Sequence, residues 1–426
     1  MGKKGSNIGQ KILSVLINTM RLVVAAVFIF SGFVKAIDPM GTVYKLGDYS
    51  DAFGFSAFIP GGMLMVATML LCIFEFTIGI CLLFGMRRRV TLVSALVFVT
   101  LMTPLTLYLA LTNPISDCGC FGDAIHLTNW QTFWKNVILL ALIIPLLINH
   151  KYIRRLIRES VQWVVSGFAF VSLLIFMWTN LRHLPLYDFR PYAVGTNIEE
   201  AMSVPEGAPQ PRFETTFILS KDGQQREFTL DDYPDSTWTF VTSRSVMIDK
   251  GFVPPIHDFT LLNDEGEDIT SNLFEPGWSL LLVMNELRHE EMLDVINDLY
   301  DYSIIHDYPF YALTSATAGE IRKWTDNTGA SYPFCQLDDI TLKTIVRSNP
   351  GLVVIHDGTI TAKWSRRDLP RENLFDGGPL EEQPWAVQTA SMLEHSRIRA
   401  LVLMFFPYLF FALLDFLVRR KDKVKD

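Results

Sequence analysis

The chain has 426 residues, half of them apolar, 12% aromatic and only 19% charged, against about 25% charged in an ordinary soluble domain. This excludes a disordered chain, and five cysteines exclude a disulfide-dense secreted scaffold. The net charge of −8 is unevenly spread: residues 181–397 carry 35 of the 45 acids and 17 of the 37 bases, a net −18, while the remainder carries +10. Those remaining bases cluster beside apolar runs, which excludes a nucleic-acid-binding patch.

Six apolar runs reach the roughly 20 residues that a bilayer-spanning helix needs: 12–34, 63–84, 91–111, 130–149, 160–180 and 398–418. The first follows Lys3, Lys4 and Lys11. It is too long for a signal-peptide core and lacks an A-x-A exit, so it reads as an uncleaved span. Basic segments lie at the N-terminus, at Arg87 to Arg89, at Lys151 to Arg158 and in the tail from Arg419. With six spans these fall on one side, which predicts cytoplasmic termini. Loops 35–62 and 112–129 and the acidic block 181–397 then face outward, into the periplasm of a Gram-negative bacterium. The expected location is the bacterial inner membrane, multi-pass and in contact with lipid.

Two ionisable residues interrupt the first two runs. Arg21 and Glu75 each lie nine residues from the cytoplasmic end of their run, about 13.5 Å at helical rise. Either charge alone is costly in hydrocarbon, so equal depth predicts an Arg21–Glu75 pair. The pair reads as a structural clamp or as a site for a polar ligand or proton.

Cys72 and Cys81 share the second run, nine residues apart. That is about 13.5 Å of helix, beyond disulfide reach, and marks them as packing residues. Cys118 and Cys120 stand in Asp117-Cys118-Gly119-Cys120-Phe121-Gly122-Asp123 on the predicted outer, oxidising side. Three readings stay open: a reversible redox pair, a static disulfide, or a partial metal site with His126, Asp117 or Asp123. A disulfide across one residue closes a small ring and should be easily reduced. The C-x-C spacing lacks the second ligand pair of a structural zinc site, so no metal is assigned. Asp117 and Asp123 disfavour a thiolate unless Lys35 or protonated His126 offsets them.

The membrane portion resembles the DoxX/MauE family of redox-associated membrane proteins. The resemblance rests on Arg21 with Phe30 to Lys35 and Asp38-Pro39, on Glu75 with Gly79 and Gly85, and on Asp117 to Asp123 followed by Asn129, Phe133 and Lys135-Asn136. It covers residues 10–150 and implies a four-helix membrane bundle linked to methylamine-utilisation-like thiol chemistry. It makes Cys118 and Cys120 candidate catalytic residues, and Arg21, Lys35 and Glu75 a candidate polar intramembrane site.

In the acidic block, Pro- and Gly-rich residues 182–212 read as a tether. Phe213–Leu219 and Gln225–Leu230 flank Lys221-Asp222-Gly223 and predict a hairpin. From 252 onward the pattern predicts strand 279–284, helix 286–305, strand 310–314, helix 321–328 and a hairpin of 352–356 with 359–365, an α/β order. This order is similar to thioredoxin-like domains, with Asn349-Pro350-Gly351 where that family keeps its cis-proline. Asn285-Glu286-Leu287-Arg288-His289 stands where the family's C-x-x-C belongs, so the domain resembles a degenerate thioredoxin. Cys335 and Pro350 are accessory candidates. Cys335 reads as a packing thiol or as a mixed-disulfide partner of the C-G-C pair.

The expected architecture is therefore an α-helical membrane bundle, four-helix DoxX/MauE-like plus two further spans, with a periplasmic α/β thioredoxin-like domain. The divisions are 1–150, the four-helix domain; 151–181, a fifth span; 182–251, linker and β-rich segment; 252–370, the thioredoxin-like domain; 371–397, a linker; and 398–426, the sixth span and tail. The combination resembles a Bacteroidetes-type membrane family. The expected function is an inner-membrane thiol-redox-associated protein serving a periplasmic protein partner. The alternative is a non-enzymatic scaffold or assembly factor. A transporter is disfavoured, because only Arg21 and Glu75 offer polar groups at depth and no inverted repeat is evident. Whether the chain is an enzyme stays open. No cofactor signature is evident; a quinone is compatible with a membrane redox role, but no sequence pattern calls for one.

Overall fold

The computed structural model describes all residues except 1, 116, 211, 222, 223, 230, 231, 236, 250, 289, 371–377 and 426. Asp222 and Gly223 of the expected turn, and His289, therefore lie outside the described residues.

The first helix, α1 (Gly2–Ile37), stops before Asp38-Pro39. Asp38 Oδ1 accepts from the Gly41 N–H at 2.9 Å, and proline opens the next helix. Both features start helices. The result is α2 (Pro39–Ala52), inside a stretch that reads as an outer loop by composition. Its Gly, Ser and Asp content hides a short helix that gains its order from packing. Next come α3 (Gly61–Phe84), α4 (Arg88–Thr112), α5 (Asn129–Ile148) and α6 (Glu159–Arg182). A capping box of Thr128 and Gln131 opens α5.

The pairing of α1 with α3 is a close backbone contact. A Cβ on Gly32 would stand 2.6 Å from the Phe76 nitrogen, and one on Gly79 2.6 Å from the Ile29 nitrogen. Only glycine permits this approach, the usual device for packing helices in lipid. It sets the register: Arg21 lies beside Gly85, and Ser31 faces Glu75.

The soluble domain does not begin at 252. The segment 182–212 is no free tether, since Tyr192 and Ile198 are buried in the domain core and α7 (Ile198–Met202) interrupts it. Lys363 Nζ donates to Asp188 Oδ2 at 2.6 Å and to the Tyr192 carbonyl at 3.0 Å, fastening the segment down. A three-stranded antiparallel sheet follows, ordered β2-β1-β3, from β1 (Arg212–Lys221), β2 (Gln224–Phe228) and β3 (Thr239–Asp249). Its third strand goes beyond the expected hairpin.

The second sheet has five strands in the order β6-β5-β4-β7-β8. These are β4 (Trp278–Val283), β5 (Phe310–Thr314), β6 (Phe334–Gln336), β7 (Gly351–His356) and β8 (Thr359–Ser365). Strands β4, β5 and β6 run parallel, and β7 and β8 antiparallel. The connecting helices are α8 (Leu293–Ile305), α9 (Ala318–Thr328) and α10 (Asp339–Ile345). Helix α8 starts later than the expected 286, after a turn at 290–292. Leu280 and Leu282 face one core and Leu281 and Val283 the other, so β4 is buried on both faces. Residues 371–397 are not wholly a linker either: Leu380 and Ala386 are buried in the first core. The last helix, α11 (Ala390–Lys425), begins before the expected 398 and returns along α6, where Arg158 pairs with Asp415 at 2.9 Å.

Candidate functional site

Among the described residues, six helices are long and apolar enough to cross a membrane: Ile8–Ile37, Gly61–Phe84, Arg88–Thr112, Asn129–Ile148, Glu159–Arg182 and Ala390–Val418. They match the six expected runs. Inside the bundle, the expected Arg21–Glu75 pair does not form. Ten residues separate Arg21 from Ser31, about 15 Å of helix, and Ser31 is the residue opposite Glu75. Arg21 Nη1 donates to the Arg154 carbonyl at 2.9 Å. Counting from the ends of apolar runs misplaced it, because the glycine contacts, not the run ends, set the register.

Glu75 pairs with Lys35. Lys35 Nζ lies 2.8 and 2.7 Å from the two carboxylate oxygens, and both side chains are buried. Lys35 also donates to Ser31 Oγ at 3.0 Å. The Ser31 hydroxyl lies 2.8 Å from Glu75 Oε2 and 2.8 Å from the Cys120 carbonyl oxygen. Having one proton, it serves one of them at a time. The intramembrane ion pair is thus joined to the C-G-C loop.

The loop is held by neighbouring helices. Asn129 Nδ2 donates to the Ile115 carbonyl at 2.8 Å, and Tyr49 donates to the Cys118 carbonyl at 3.1 Å. Lys45 Nζ holds Asp117 at 2.5 Å, and its stem covers Gly119, where a Cβ would meet Lys45 Cγ at 2.8 Å. Gly119 has φ +66, so the turn requires glycine on both counts. Cys118 Sγ and Cys120 Sγ then converge to 2.8 Å. Either sulfur can donate to the other, and this contact, with Lys135 and Lys35 beside it, pulls the Cys120 thiol below its ordinary range against burial. The same interaction, with burial, pushes the Cys118 thiol up. One sulfur is thus poised as the thiolate and the other as its proton donor.

The two acids that disfavour a thiolate are each answered by a cation. Asp117 pairs with Lys45, and Asp123 lies 3.5 Å from Arg347 Nη2. His126 lies 3.7 Å from Asp117. Among the described residues no group of three or more His, Cys, Asp and Glu side chains converges as a metal centre.

Below the cysteines lies a cavity of about 290 Å³. Lys35, Glu75, Lys135 and Tyr49 line it together with Val27, Phe98, Met102 and Leu139. A second cavity of about 630 Å³ lies between the loop and the soluble domain, with Asp38, His126, Arg190 and His257 on its walls. Both cysteines line the first cavity and neither lines the second. The soluble domain is clamped to this end of the bundle by Arg347, whose Nε donates to Asp38 Oδ2 at 2.9 Å.

Cys335 is 1% exposed in the soluble core, and burial pushes its thiol up to about 11. Its packing leaves no surface from which to trade a disulfide with the loop. Pro350 follows a cis bond from Asn349, and Asn349 Nδ2 donates to the Glu286 carbonyl at 2.8 Å. The cis-proline loop therefore touches the stretch where thiols are missing. The sequence singles out none of Lys45, Tyr49 and Arg347. The available signal is spacing: Ser31 with Lys35, and Lys45 with Tyr49, are each four apart and share a helix face.

Six apolar helices enclosing a buried ion pair define a multi-pass helical membrane protein. Residues 13–149 match the family model described as methylamine utilisation protein MauE. Residues 213–250, the three-stranded sheet, match a domain of unknown function, DUF8463. No curated protein and no solved structure matches the chain.

Proposed function

We propose that the chain is a membrane thiol-redox protein whose Cys118 and Cys120 cycle between dithiol and disulfide in support of a protein partner outside the membrane. The observation that carries this reading is the approach of the two sulfurs to 2.8 Å at the wall of a membrane cavity, with Lys35 and Lys135 favouring a thiolate. The family description of residues 13–149 supports a membrane process related to methylamine utilisation.

The basic segments support cytoplasmic termini, an inner-membrane location and a periplasmic soluble domain. A phosphatase fused near residue 250 should then be active, and one fused after Asp426 inactive. The parallel β4–β5–β6 arrangement and the β7–β8 hairpin support a thioredoxin-like fold for the soluble domain. Residues 285–288 after β4 contain no cysteine, so this domain binds rather than reacts. That missing thiol pair is the one observation that favours a scaffold as the second reading.

Thiol trapping in cells decides between the two. The redox reading expects Cys118 and Cys120 to be found in both states, and Ser replacements to abolish function while the protein stays inserted and abundant. Full complementation by the double Ser variant would replace the redox reading with the scaffold.

A further inference from the structure

We propose that a cleft on the membrane face of α3, α4 and α6 binds an anionic phospholipid, with one acyl chain in the cleft and the headgroup at Arg87. The cleft has a volume of about 840 Å³ and neither Cys118 nor Cys120 lines it, so the site is independent of the redox reading. It opens on the outer surface of the bundle. Leu70 and Val90 on its walls are 59% and 65% exposed, and Phe74 and Phe170 are exposed as well. All four belong to helices long and apolar enough to cross a membrane, so in a bilayer the surface they leave open meets lipid.

The length of the cleft selects its occupant. Along α3 it runs from Leu70 to Cys81, about 16.5 Å at helical rise. Half of a hydrocarbon core about 30 Å thick is about 15 Å. Leu70 stands near the middle of α3, and Arg87 follows the end of that helix. The cleft therefore starts near the midplane and stops at one interface, which is the reach of an acyl chain in a single leaflet. A spanning helix from a second copy would need a groove across the full thickness.

The charge selects the class of lipid. Among the described residues lining the cleft, Arg87 is the only charged one. Its backbone N–H donates to Gln162 Oε1 at 3.1 Å, which fixes the α3–α4 turn against α6 at the head of the cleft. Two acids at this end of the bundle, Glu159 and Asp415, are paired with Arg155 and Arg158. Among the described residues no carboxylate stands within ion-pair distance of Arg87. Basic groups between spanning helices at an interface attract anionic headgroups, and a guanidinium matches a phosphate in geometry. Gly167, on the α6 wall, has nothing within 4 Å of where a Cβ would stand, so a side chain added there projects into the open cleft.

The test uses the full-length chain in detergent, stripped of lipid, with dioleoylphosphatidylglycerol and dioleoylphosphatidylcholine as probes and native mass spectrometry as the readout. Phosphatidylglycerol should bind about fivefold tighter or better. Arg87→Gln should remove that preference and leave phosphatidylcholine bound, whereas Gly167→Leu should weaken both lipids. On the unaltered chain, phosphatidylglycerol with a diazirine in its tail should label residues 70–78 or 166–170, and excess plain lipid should suppress the label. Equal binding of the two lipids, a preference that survives Arg87→Gln, no effect of Gly167→Leu, or labelling only elsewhere overturns the site. Disulfide-linked dimers of a Gly167→Cys variant in nanodiscs would give the cleft to a second copy and overturn it as well.

Discussion

Lys35 Nζ lies 2.7 Å from Glu75 Oε2, and neither side chain is more than 6% exposed. In hydrocarbon each charge is tolerable only because of the other, and the pair also touches the Ser31 hydroxyl that reaches the Cys120 carbonyl. The ion pair is therefore a foundation for the cysteine loop as well as a link between two helices.

Breaking it from one side should be costly. Glu75→Leu or Lys35→Met alone should each destabilise the extracted protein by about 3–5 kcal/mol, because the partner is left charged and buried. The double replacement should recover most of the loss. Thermal unfolding in detergent checks this, and simple additivity would contradict the pairing. Arg21→Gln combined with Glu75→Leu should, by contrast, be additive, since Arg21 bonds elsewhere.

The cysteines should differ in reactivity. With its thiol lowered by the contact with Cys118 and by the two lysines, Cys120 is the sulfur expected to ionise first as pH rises and to lose its charge as pH falls. In reduced protein, iodoacetamide should modify Cys120 first, with a midpoint below that of an ordinary thiol, while Cys118 stays protonated and lags. Cys118→Ala removes the donor and should move the midpoint upward. Mass spectrometry of the alkylated peptides across pH reads both, and equal labelling of the two sulfurs at pH 7 would refute the assignment.

Arg347 should govern docking of the soluble domain. Its guanidinium is 9% exposed and reaches Asp38 and Asp123 on the membrane portion. Arg347→Ala leaves two carboxylates without that cation and should free the domain without unfolding it. Hydrogen exchange should rise in residues 38–48 and 339–347 and stay unchanged in β4. Unchanged exchange at both contact segments would mean that other contacts hold the domain.

Cutting the soluble domain at 252 should fail. That boundary removes Tyr192 and Ile198 from the core and leaves Lys363 without Asp188. Residues 184–389 should express as a cooperatively folded unit, and residues 252–370 should aggregate. Neither should reduce insulin, given the absence of thiols at 285–288. A sharp thermal transition from the shorter piece would contradict the enlarged boundary.

Hydropathy, spacing and chemistry-bearing residue types were sufficient for the spans, the α/β order of the soluble block and the C-G-C pair. These depend on local properties: a run of about 20 apolar residues has few alternatives to a spanning helix, and two cysteines flanking glycine stay neighbours in any fold. Only the tertiary structure decided what meets across the chain. Glu75 pairs with Lys35 rather than Arg21 because glycine contacts between α1 and α3 set a register that run lengths do not encode. Helix α2, with Lys45 and Tyr49, carries a weak apolar pattern and owes its order to a proline start, an aspartate cap and the loop it packs on. Residues 182–212 read as a tether by composition, yet Tyr192 and Ile198 find their burial against strands more than 150 residues later. Arg347 and Asp38, 309 residues apart, meet only because the soluble domain folds back onto the bundle. Pairings at such separations are set by packing of whole elements, which no local window of sequence contains.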